Sequence, residues 1–528
     1  MESQQPDRAI LDILLQTLEA PLQEVKFDSH GNLIRLVLYG LDLTQFPPEI
    51  FKFTHLQYLD ISCNQLSLLP IEIGYLPELR TLFLNHNRLT SLPPEIGQLS
   101  NLKALFLNHN RLASLPEEIG KLKNLRRLDL GNTGVSYMAE QIRNQADWQK
   151  YTANENQLSH LPLEIWKLKN LEMLGLWANQ LTTLPEEIGH LTNLTELLLG
   201  RNNFPALPIA IGKLTKLHRL MLHGHPIEQV PSEIEKLQDL EYLTLQLSIN
   251  QPPVLPSEIW KLSKLQHLDL NLGSISQLSP KIGQLSQLKV LYIGGKYLNS
   301  LPPELWQLTQ LERLDIHGSS LSLLPPHIGL LTNLQQLRLH RNRLKYLPSE
   351  IRLLSHLEVL DLQWNDLHQL PPQIGSLENL RELRINGNPH LLTPPPEIIG
   401  RGTQDILDFL KELQKNSITR NEAKLLVVGE GGTGKSSLMR ALQGKPFEAH
   451  SETTHGIEVN QLEFSLSNSA QALILNTWDF GGQHIYQATH QLFFTRRSMY
   501  LVVLKMTLPR EQYLPKVSFL NYFPINRL

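Results

Sequence analysis

Apolar residues recur along this chain of 528 residues with a period of 23, and every period repeats one pattern. The clearest unit, LKALFLNHNRLASLPEEIGKLKN, starts at Leu102 and has leucine at its first, fourth, sixth and eleventh positions. The segment LxxLxL predicts a short strand in each unit, with its leucines on the buried face. Sixteen first positions follow this period: Leu33, Leu56, Leu79, Leu102, Leu125, Trp148, Leu171, Leu194, Leu217, Leu240, Leu265, Leu288, Leu311, Leu334, Leu357 and Leu380.

Nine units carry an asparagine eight positions after the first residue. These are Asn64, Asn87, Asn110, Asn156, Asn179, Asn202, Asn342, Asn365 and Asn388. A side-chain amide at this turn can hydrogen-bond backbone groups, so the asparagines predict a ladder that runs through the stacked units. We expect the ladder to be weakest where other residues replace asparagine, at His225, Ser248, Gly273, Lys296 and Ser319.

The full pattern, LxxLxLxxNxL followed by LPxxIxxL, resembles that of the leucine-rich repeats. One unit of this length cannot bury its own apolar face, so neighbouring units stack into a curved solenoid with a parallel sheet on its inner surface. We therefore expect an α/β horseshoe of about 16 repeats over residues 33–400. The unit at Trp148 keeps the register but lacks leucines, and we interpret it as a degenerate repeat.

Segments on both sides of the repeats have helical patterns. In residues 1–32, one face of a short helix carries Ile10, Leu11, Leu14, Leu15 and Leu18, and we predict a capping helix with its lead-in. The repeats end in PHLLTPPPEIIG, whose prolines interrupt a helix or a central strand. Residues 401–422 then predict a second capping helix, which links the solenoid to a separate domain over residues 423–528.

The segment AKLLVVGEGGTGKSSLMRAL reads as a strand, a glycine-rich turn and a helix, and it satisfies GxxxxGK[ST]. In this arrangement backbone N–H groups converge on phosphate oxygens, Lys435 reaches the β and γ phosphates, and the Ser436 hydroxyl binds magnesium. The predicted nucleotide-binding residues of this loop are Gly429, Glu430, Gly431, Gly432, Thr433, Gly434, Lys435, Ser436 and Ser437.

Further candidate residues follow along the chain. LILNTWDFGGQ is an apolar strand that ends at Asp479, and its DxxG motif can hold magnesium through water and direct the N–H of Gly482 to a γ-phosphate. Gln483 comes next, where a glutamine can orient the attacking water. Thr454 precedes another predicted strand and can supply a second hydroxyl to magnesium. The predicted magnesium ligands are thus Ser436, Thr454 and Asp479, and the predicted catalytic residues are Lys435 and Gln483.

The segments GEGGTGKSS, TTHGIEV and WDFGGQHIYQATHQLFF resemble the phosphate-binding loop and both switch segments of Ras-like GTPases. A Roc domain after leucine-rich repeats resembles the Roco family, as found in bacteria. The resemblance implies a P-loop NTPase that binds GTP or GDP with Mg²⁺ and acts as a signalling switch. In the family, a base-reading NKxD strand and a dimerising COR domain come later; the sequence contains neither, so we expect a C-terminally truncated G domain and no dimer formed through COR.

The amino-acid composition limits which kinds of partner the protein can bind. Lys and Arg number 48 and Asp and Glu 51, so the chain lacks the basic field of a nucleic-acid-binding protein. The single cysteine, Cys63, excludes an internal disulfide framework, and no apolar stretch is long enough to span a membrane. We expect a cytoplasmic protein that binds guanine nucleotide and a protein partner.

On the inner sheet, Phe83, Asn85 and His86 recur one unit later as Phe106, Asn108 and His109. We interpret them, together with Trp177, as a candidate partner-binding surface, although duplicated repeats also copy residues that make no contact. Two functions stay open: a GTP-hydrolysing switch coupled to an interaction solenoid, or an interaction scaffold with a non-functional, truncated G domain. The P-loop does not select the base, so an ATPase is a third possibility that the switch segments disfavour.

Overall fold

The computed structural model describes residues 6–18, 24–131, 155–247, 255–271, 273–274, 276–415, 422–428, 433–446, 457–465, 472–480 and 498–502. The chain divides into two compact units, Met1–Lys415 and Asn416–Leu528. No helix among the described residues is both long and apolar enough to cross a membrane.

The first unit is built on one sheet of sixteen strands in sequence order. β1 is antiparallel to β2, and β2 to β16 are parallel to their neighbours. The strands are β1 (Glu24–Phe27), β2 (Leu33–Val37), β3 (Tyr58–Asp60), β4 (Thr81–Phe83), β5 (Ala104–Phe106), β6 (Arg127–Asp129), β7 (Met173–Gly175), β8 (Glu196–Leu198), β9 (Arg219–Ile227), β10 (Tyr242–Leu247), β11 (His267–Asn271), β12 (Val290–Gly294), β13 (Arg313–His317), β14 (Gln336–Arg338), β15 (Val359–Asp361) and β16 (Glu382–Arg384). The predicted leucine-rich-repeat horseshoe is confirmed.

Short 3-10 helices return the chain from one strand to the next. In thirteen of the fourteen described, a proline with φ near −65° to −78° precedes the first turn, as the LPxxI motif requires. The helices are Pro48–Lys52, Ile71–Tyr75, Pro94–Gln98, Glu117–Lys121, Leu163–Lys167, Glu186–His190, Ile209–Lys213, Ser232–Lys236, Ser257–Lys261, Pro280–Gln284, Pro303–Gln307, Pro326–Leu330, Ser349–Leu353 and Pro372–Ser376. Each buries its third residue, an isoleucine or a leucine, against the strand leucines.

Helices cover both ends of this core. Helix α1 (Pro6–Leu18) buries Leu14 completely, and the Asp7 carboxylate accepts a hydrogen bond from the backbone N–H of Leu33 at 2.6 Å. At the other end, α2 (Pro396–Ile399) leads into α3 (Thr403–Lys415). Helix α3 buries Ile406, Leu407 and Leu410 against the last repeat, so its apolar stripe replaces the next repeat that the stack would otherwise need.

The asparagine ladder is confirmed at all nine predicted positions. Asn87 is representative: its Oδ1 accepts from the N–H of Leu66 at 3.0 Å, and its Nδ2 donates to the carbonyls of Leu84 at 3.0 Å and Ile61 at 3.1 Å. One buried amide therefore bonds three backbone groups and ties its own repeat to the preceding one.

Strand length depends on whether a repeat carries the ladder asparagine. The nine strands β3 to β8 and β14 to β16 have three residues each, and the chain turns at the asparagine. Strands β9 to β13 lack that asparagine and have five to nine residues. Without a side chain to bond the turning backbone, the N–H and C=O groups continue to pair between strands. The sheet is therefore wider from β9 to β13, where the ladder is interrupted, and narrows again from β14 to β16.

The prediction of a separate repeat at Trp148 is wrong. Strand β6 pairs directly with β7, with Arg127 opposite Met173, so the repeat of Leu125 lies beside that of Leu171. Asn156 completes the repeat of Leu125, because its Nδ2 donates to the Leu130 carbonyl at 2.8 Å. Residues 132–154, which lie outside the described residues, are therefore an insertion of one period in length, and an insertion of that length leaves the register of the sequence unchanged.

The second unit contains a four-stranded sheet in the order β18-β19-β17-β20. Its described elements are β17 (Glu422–Val428), α4 (Lys435–Leu442), β18 (Ile457–Ser465), β19 (Ala472–Phe480) and β20 (Ser498–Val502). β17 is parallel to β19 and β20, and β18 is antiparallel to β19. Leu425, Val427, Met439 and Leu462 form a core that holds α4 on the sheet.

Candidate nucleotide-binding site

The candidate site lies at the end of the central strand β17. Its neighbours β19 and β20 are both parallel to it, one on each side, so the chain leaves β17 at a point where the topology switches direction. In open α/β sheets, crevices at such points, outside the carboxyl ends of the strands, bind ligands. The glycine-rich loop begins there, directly after Val428.

Gly434 ends this loop and starts helix α4. It has φ of 89° and ψ of 19°, a left-handed conformation, and its carbonyl accepts from the N–H of Leu438 at 2.9 Å. An added Cβ would meet nothing within 4 Å, so the need for glycine here comes from the backbone conformation and not from space.

Lys435, Ser436 and Ser437 form the first turn of α4. Lys435 is 6% exposed, while both serines are half-buried. Met439, one turn later, is 3% exposed and packs against Leu425 and Val427. Packing of α4 on the sheet therefore fixes the start of the helix, where the positive end of the helix dipole and an ammonium group favour an anion.

Asp479 lies beside the start of the loop. It is the residue of β19 that pairs with Val427 of β17, and it stands one residue before the end of its strand. The backbone thus brings Asp479 to the same sheet edge as the loop. Asp479 and Ser436 would contribute a carboxylate and a hydroxyl, which are the hard oxygen ligands that Mg²⁺ prefers.

Several predicted residues lie outside the described part of the chain: Gly429, Glu430, Gly431, Gly432, Thr454, Gly482 and Gln483. The structure therefore brings together Thr433 to Ser437 with the backbone of Asp479. Among the described residues, no group of three histidine, cysteine or acidic side chains could hold a metal ion.

The predicted partner surface differs from expectation. Asn85, His86, Asn108 and His109 are buried, with exposures of 1 to 6%, and Phe106 is 8% exposed. The rings of Phe83 and Phe106 stack with centroids 4.4 Å apart, and those of His86 and His109 stack at 4.2 Å. Adjacent strands are about 4.8 Å apart, so identical side chains in successive repeats cover one another. These polar side chains are therefore largely covered by neighbouring repeats, and partner binding by this surface stays a prediction.

Two tryptophans each lie on a glycine of the next repeat. Trp177 is half-buried, and a Cβ on Gly200 would lie 2.2 Å from its ring. Trp364 is 61% exposed, and a Cβ on Gly387 would lie 2.7 Å from its ring. Only glycine fits beneath either ring. Trp364 is thus the more accessible aromatic side chain of the two.

Known leucine-rich repeats match most of the first unit. A family model described as a leucine-rich repeat region matches residues 44–147, 149–252 and 253–345, which are more than half of the chain, and a Leucine Rich Repeat model matches residues 356–377. The chain belongs to the leucine-rich-repeat proteins. A leucine-rich-repeat protein of Leptospira interrogans is 33% identical in a solved structure with a TM-score of 0.60, over 74% of this chain and 96% of that one.

The second unit of this leucine-rich-repeat protein is a Roc domain. The family model Ras of Complex, Roc, domain of DAPkinase matches residues 424–519. The probable serine/threonine-protein kinase pats1 of Dictyostelium discoideum is 36% identical over 140 residues, 23% of this chain and 4% of that protein. The Ras-related protein RabC of the same organism is 30% identical over 88 residues, 17% of this chain and 45% of RabC. The chain thus spans a small part of the kinase, and the expected order of repeats before a Roc domain is confirmed.

Proposed function

We propose that the Roc domain binds GTP with magnesium and hydrolyses it, and that the repeat solenoid recruits a protein partner. The observation that carries this proposal is the placement of buried Lys435 at the start of α4, after a left-handed glycine, while Asp479 pairs with Val427 at the end of β17 from which the loop begins. Similarity to the Ras-related protein RabC supports guanine over adenine.

Each residue then has a distinct role toward the nucleotide. The N–H groups of the loop and of the first turn of α4 donate to the phosphate oxygens, and Lys435 contacts the β and γ phosphates. Ser436, Thr454 and Asp479 hold magnesium, which supplies positive charge at the phosphates when it is bound. Gln483 orients the water that attacks the γ-phosphate.

Binding is tested by titrating the full chain with fluorescent GTP and ATP analogues in the presence of Mg²⁺. We expect saturable, GTP-selective binding that weakens at least about tenfold in Lys435→Ala, because a charge-assisted contact to phosphate is lost. Lys445→Ala is the matched control, since this exposed lysine follows the other end of α4. Equal weakening in both variants, or no binding by the parent, would favour an interaction scaffold with a non-functional G domain.

Hydrolysis is tested separately with Gln483→Leu. Leucine fills a similar volume but cannot orient water, so we expect turnover to slow by about tenfold or more with little change in nucleotide affinity. Phosphate release is measured at saturating GTP. Equal turnover in the variant and the parent would remove Gln483 from the mechanism.

A further inference from the structure

A row of cations crosses the edge of the inner sheet in three successive repeats. Arg80, Lys103 and Arg126 each occupy the second position of a repeat, just before strands β4, β5 and β6. Their backbones are in direct register, since the N–H of Lys103 donates to the carbonyl of Arg80 at 2.7 Å and that of Arg126 to the carbonyl of Lys103 at 2.8 Å. All three side chains are exposed, and adjacent repeats place them about 5 Å apart.

Two of the three cations of this basic row form no ion pair within the described part of the chain. Arg126 pairs with Glu172 at 2.9 Å at one end of the row. Arg80 and Lys103 form no ion pair with any other described residue. Glu78, the nearest acidic residue in sequence to Arg80, is hydrogen-bonded to His55 at 3.0 Å.

Other charges nearby leave the row positive. Arg127, which follows Arg126 in the chain, is half-buried and has an interaction of its own, so it does not count toward the row. Asp60 and Asp129 lie on neighbouring strands but are 3% and 5% exposed, so their carboxyl groups do not face a partner. Thr81 and Ala104, which follow Arg80 and Lys103, are small and leave room above the sheet between the long basic side chains.

No other part of the described solenoid repeats this arrangement. The second positions of the remaining described repeats are Ile34, Gln57, Glu172, Thr195, His218, Glu241, Gln266, Lys289, Glu312, Gln335, Glu358 and Arg381. Like charges directly opposite one another on adjacent strands are destabilising. We therefore expect repulsion between Arg80 and Lys103, which lack an acidic partner among the described residues, and residues kept at such a cost are typical of a surface used for binding.

We propose that the basic row, Arg80, Lys103 and Arg126, binds a short acidic segment of a protein partner. The proposal rests on the proposed partner-binding role of the solenoid and specifies the chemistry of that partner. A row about 10 Å long matches two or three carboxylates of an extended chain. Nucleic-acid binding draws its affinity from phosphates neutralised over a basic surface, and the net charge of -3 gives this chain no such surface beyond the row, so an acidic protein segment is favoured.

Fluorescence anisotropy of a labelled hexaglutamate peptide with the full chain tests this inference. We expect saturable binding that weakens at least tenfold in the double variant Arg80→Gln, Lys103→Gln and as NaCl rises from 50 to 200 mM. The matched control is Lys289→Gln, Arg381→Gln, which removes two exposed cations that form no ion pair with a described residue and that occupy the same second repeat position, before β12 and β16. We expect it to bind within twofold of the parent.

Other outcomes would overturn the inference. Equal affinity in the parent and in Arg80→Gln, Lys103→Gln, or no saturable binding by the parent, would remove the row as a binding site. Tighter binding of hexathymidylate through the same residues would assign the row to nucleic acid. Dissociation of a parent dimer on the same substitutions, seen by sedimentation, would assign it to a second copy of this chain.

Two further measurements distinguish a failure of the basic row from a failure of the Roc domain. The melting temperature of Arg80→Gln, Lys103→Gln should equal or exceed that of the parent, because the substitutions remove repulsion, and a lower value would contradict the repulsion on which the inference depends. Lys435→Ala should lose the GTP analogue and keep hexaglutamate. Loss of both ligands in that variant would contradict a separate site on the solenoid, whereas loss of nucleotide alone concerns only the Roc domain.

Discussion

Asp129 is a buried acid whose protonation should control the stability of the middle of the solenoid. It ends strand β6, is 5% exposed, and its Oδ1 accepts one hydrogen bond, from the N–H of Gly131 at 3.1 Å. Burial raises its pKa to about 7, and the single N–H bond lowers it only in part. The folded pKa lies above the unfolded value of 3.8, so the protonated acid favours the folded state. The free energy of unfolding is therefore highest below pH 3.8 and falls as the pH rises to 7.

The substitution Asp129→Asn isolates this effect. Asparagine keeps the oxygen that accepts from Gly131 and has no proton to lose. The pKa difference of about three units corresponds to about 4 kcal/mol, because each unit is worth about 1.4 kcal/mol. Relative to the parent, the variant should gain little at pH 4, about 1 to 2 kcal/mol at pH 5, and about 4 kcal/mol at pH 8.

Urea unfolding of both proteins between pH 4 and 8 measures this gain, and hydrogen exchange at the amides of β6 measures it locally. Asp361→Asn is the control at the same strand position. Asp361 accepts from the N–H of Gln363 at 3.0 Å and also pairs with Arg384 at 3.5 Å, so its substitution should destabilise the protein. A stability difference for Asp129→Asn that does not change with pH would refute the reasoning.

Two structural contacts lead to further predictions. Asn87→Ala should cost about 2 to 3 kcal/mol in urea unfolding, because the buried N–H of Leu66 loses its acceptor and the carbonyls of Ile61 and Leu84 each lose one of two donors, whereas Asn101→Ala, which removes one exposed bond to Pro77, should cost under about 1 kcal/mol. Gly387→Ala should lower the melting temperature more than Gly40→Ala: both have positive φ, but only Gly387 lies under the Trp364 ring. Equal costs within either pair would contradict the assigned contacts.

The regular features of the fold were predictable because they are local and repeated. The leucines at positions one, four and six, the asparagine at position nine and the LPxxI motif each specify a turn or a buried face within one unit. Asn87 makes its three bonds wherever the neighbouring unit has the same shape. In the same way, the GxxxxGK[ST] segment predicted a strand, a glycine-rich turn and a helix, and the structure has β17 and α4 at these positions.

Other features depend on what lies beside each unit and could not be deduced from one period. Sequence register could not distinguish a degenerate repeat at Trp148 from an insertion of equal length; only the pairing of β6 with β7 decided it. The 23-residue pattern also could not show that the rings of His86 and His109 cover each other, because their burial depends on the distance between stacked repeats. The raised pKa of Asp129 has the same origin, since it comes from neighbours that exclude water.

The sequence by itself therefore determined the repeat, the ladder and the phosphate-binding motif, in which the necessary information lies within a few consecutive residues. Tertiary structure decided which polar side chains are buried, how long the strands are at β9 to β13, and that Arg80, Lys103 and Arg126 form one continuous row. These residues are 23 positions apart in sequence and about 5 Å apart in space. Their charges add up only because the stacked repeats bring them into register.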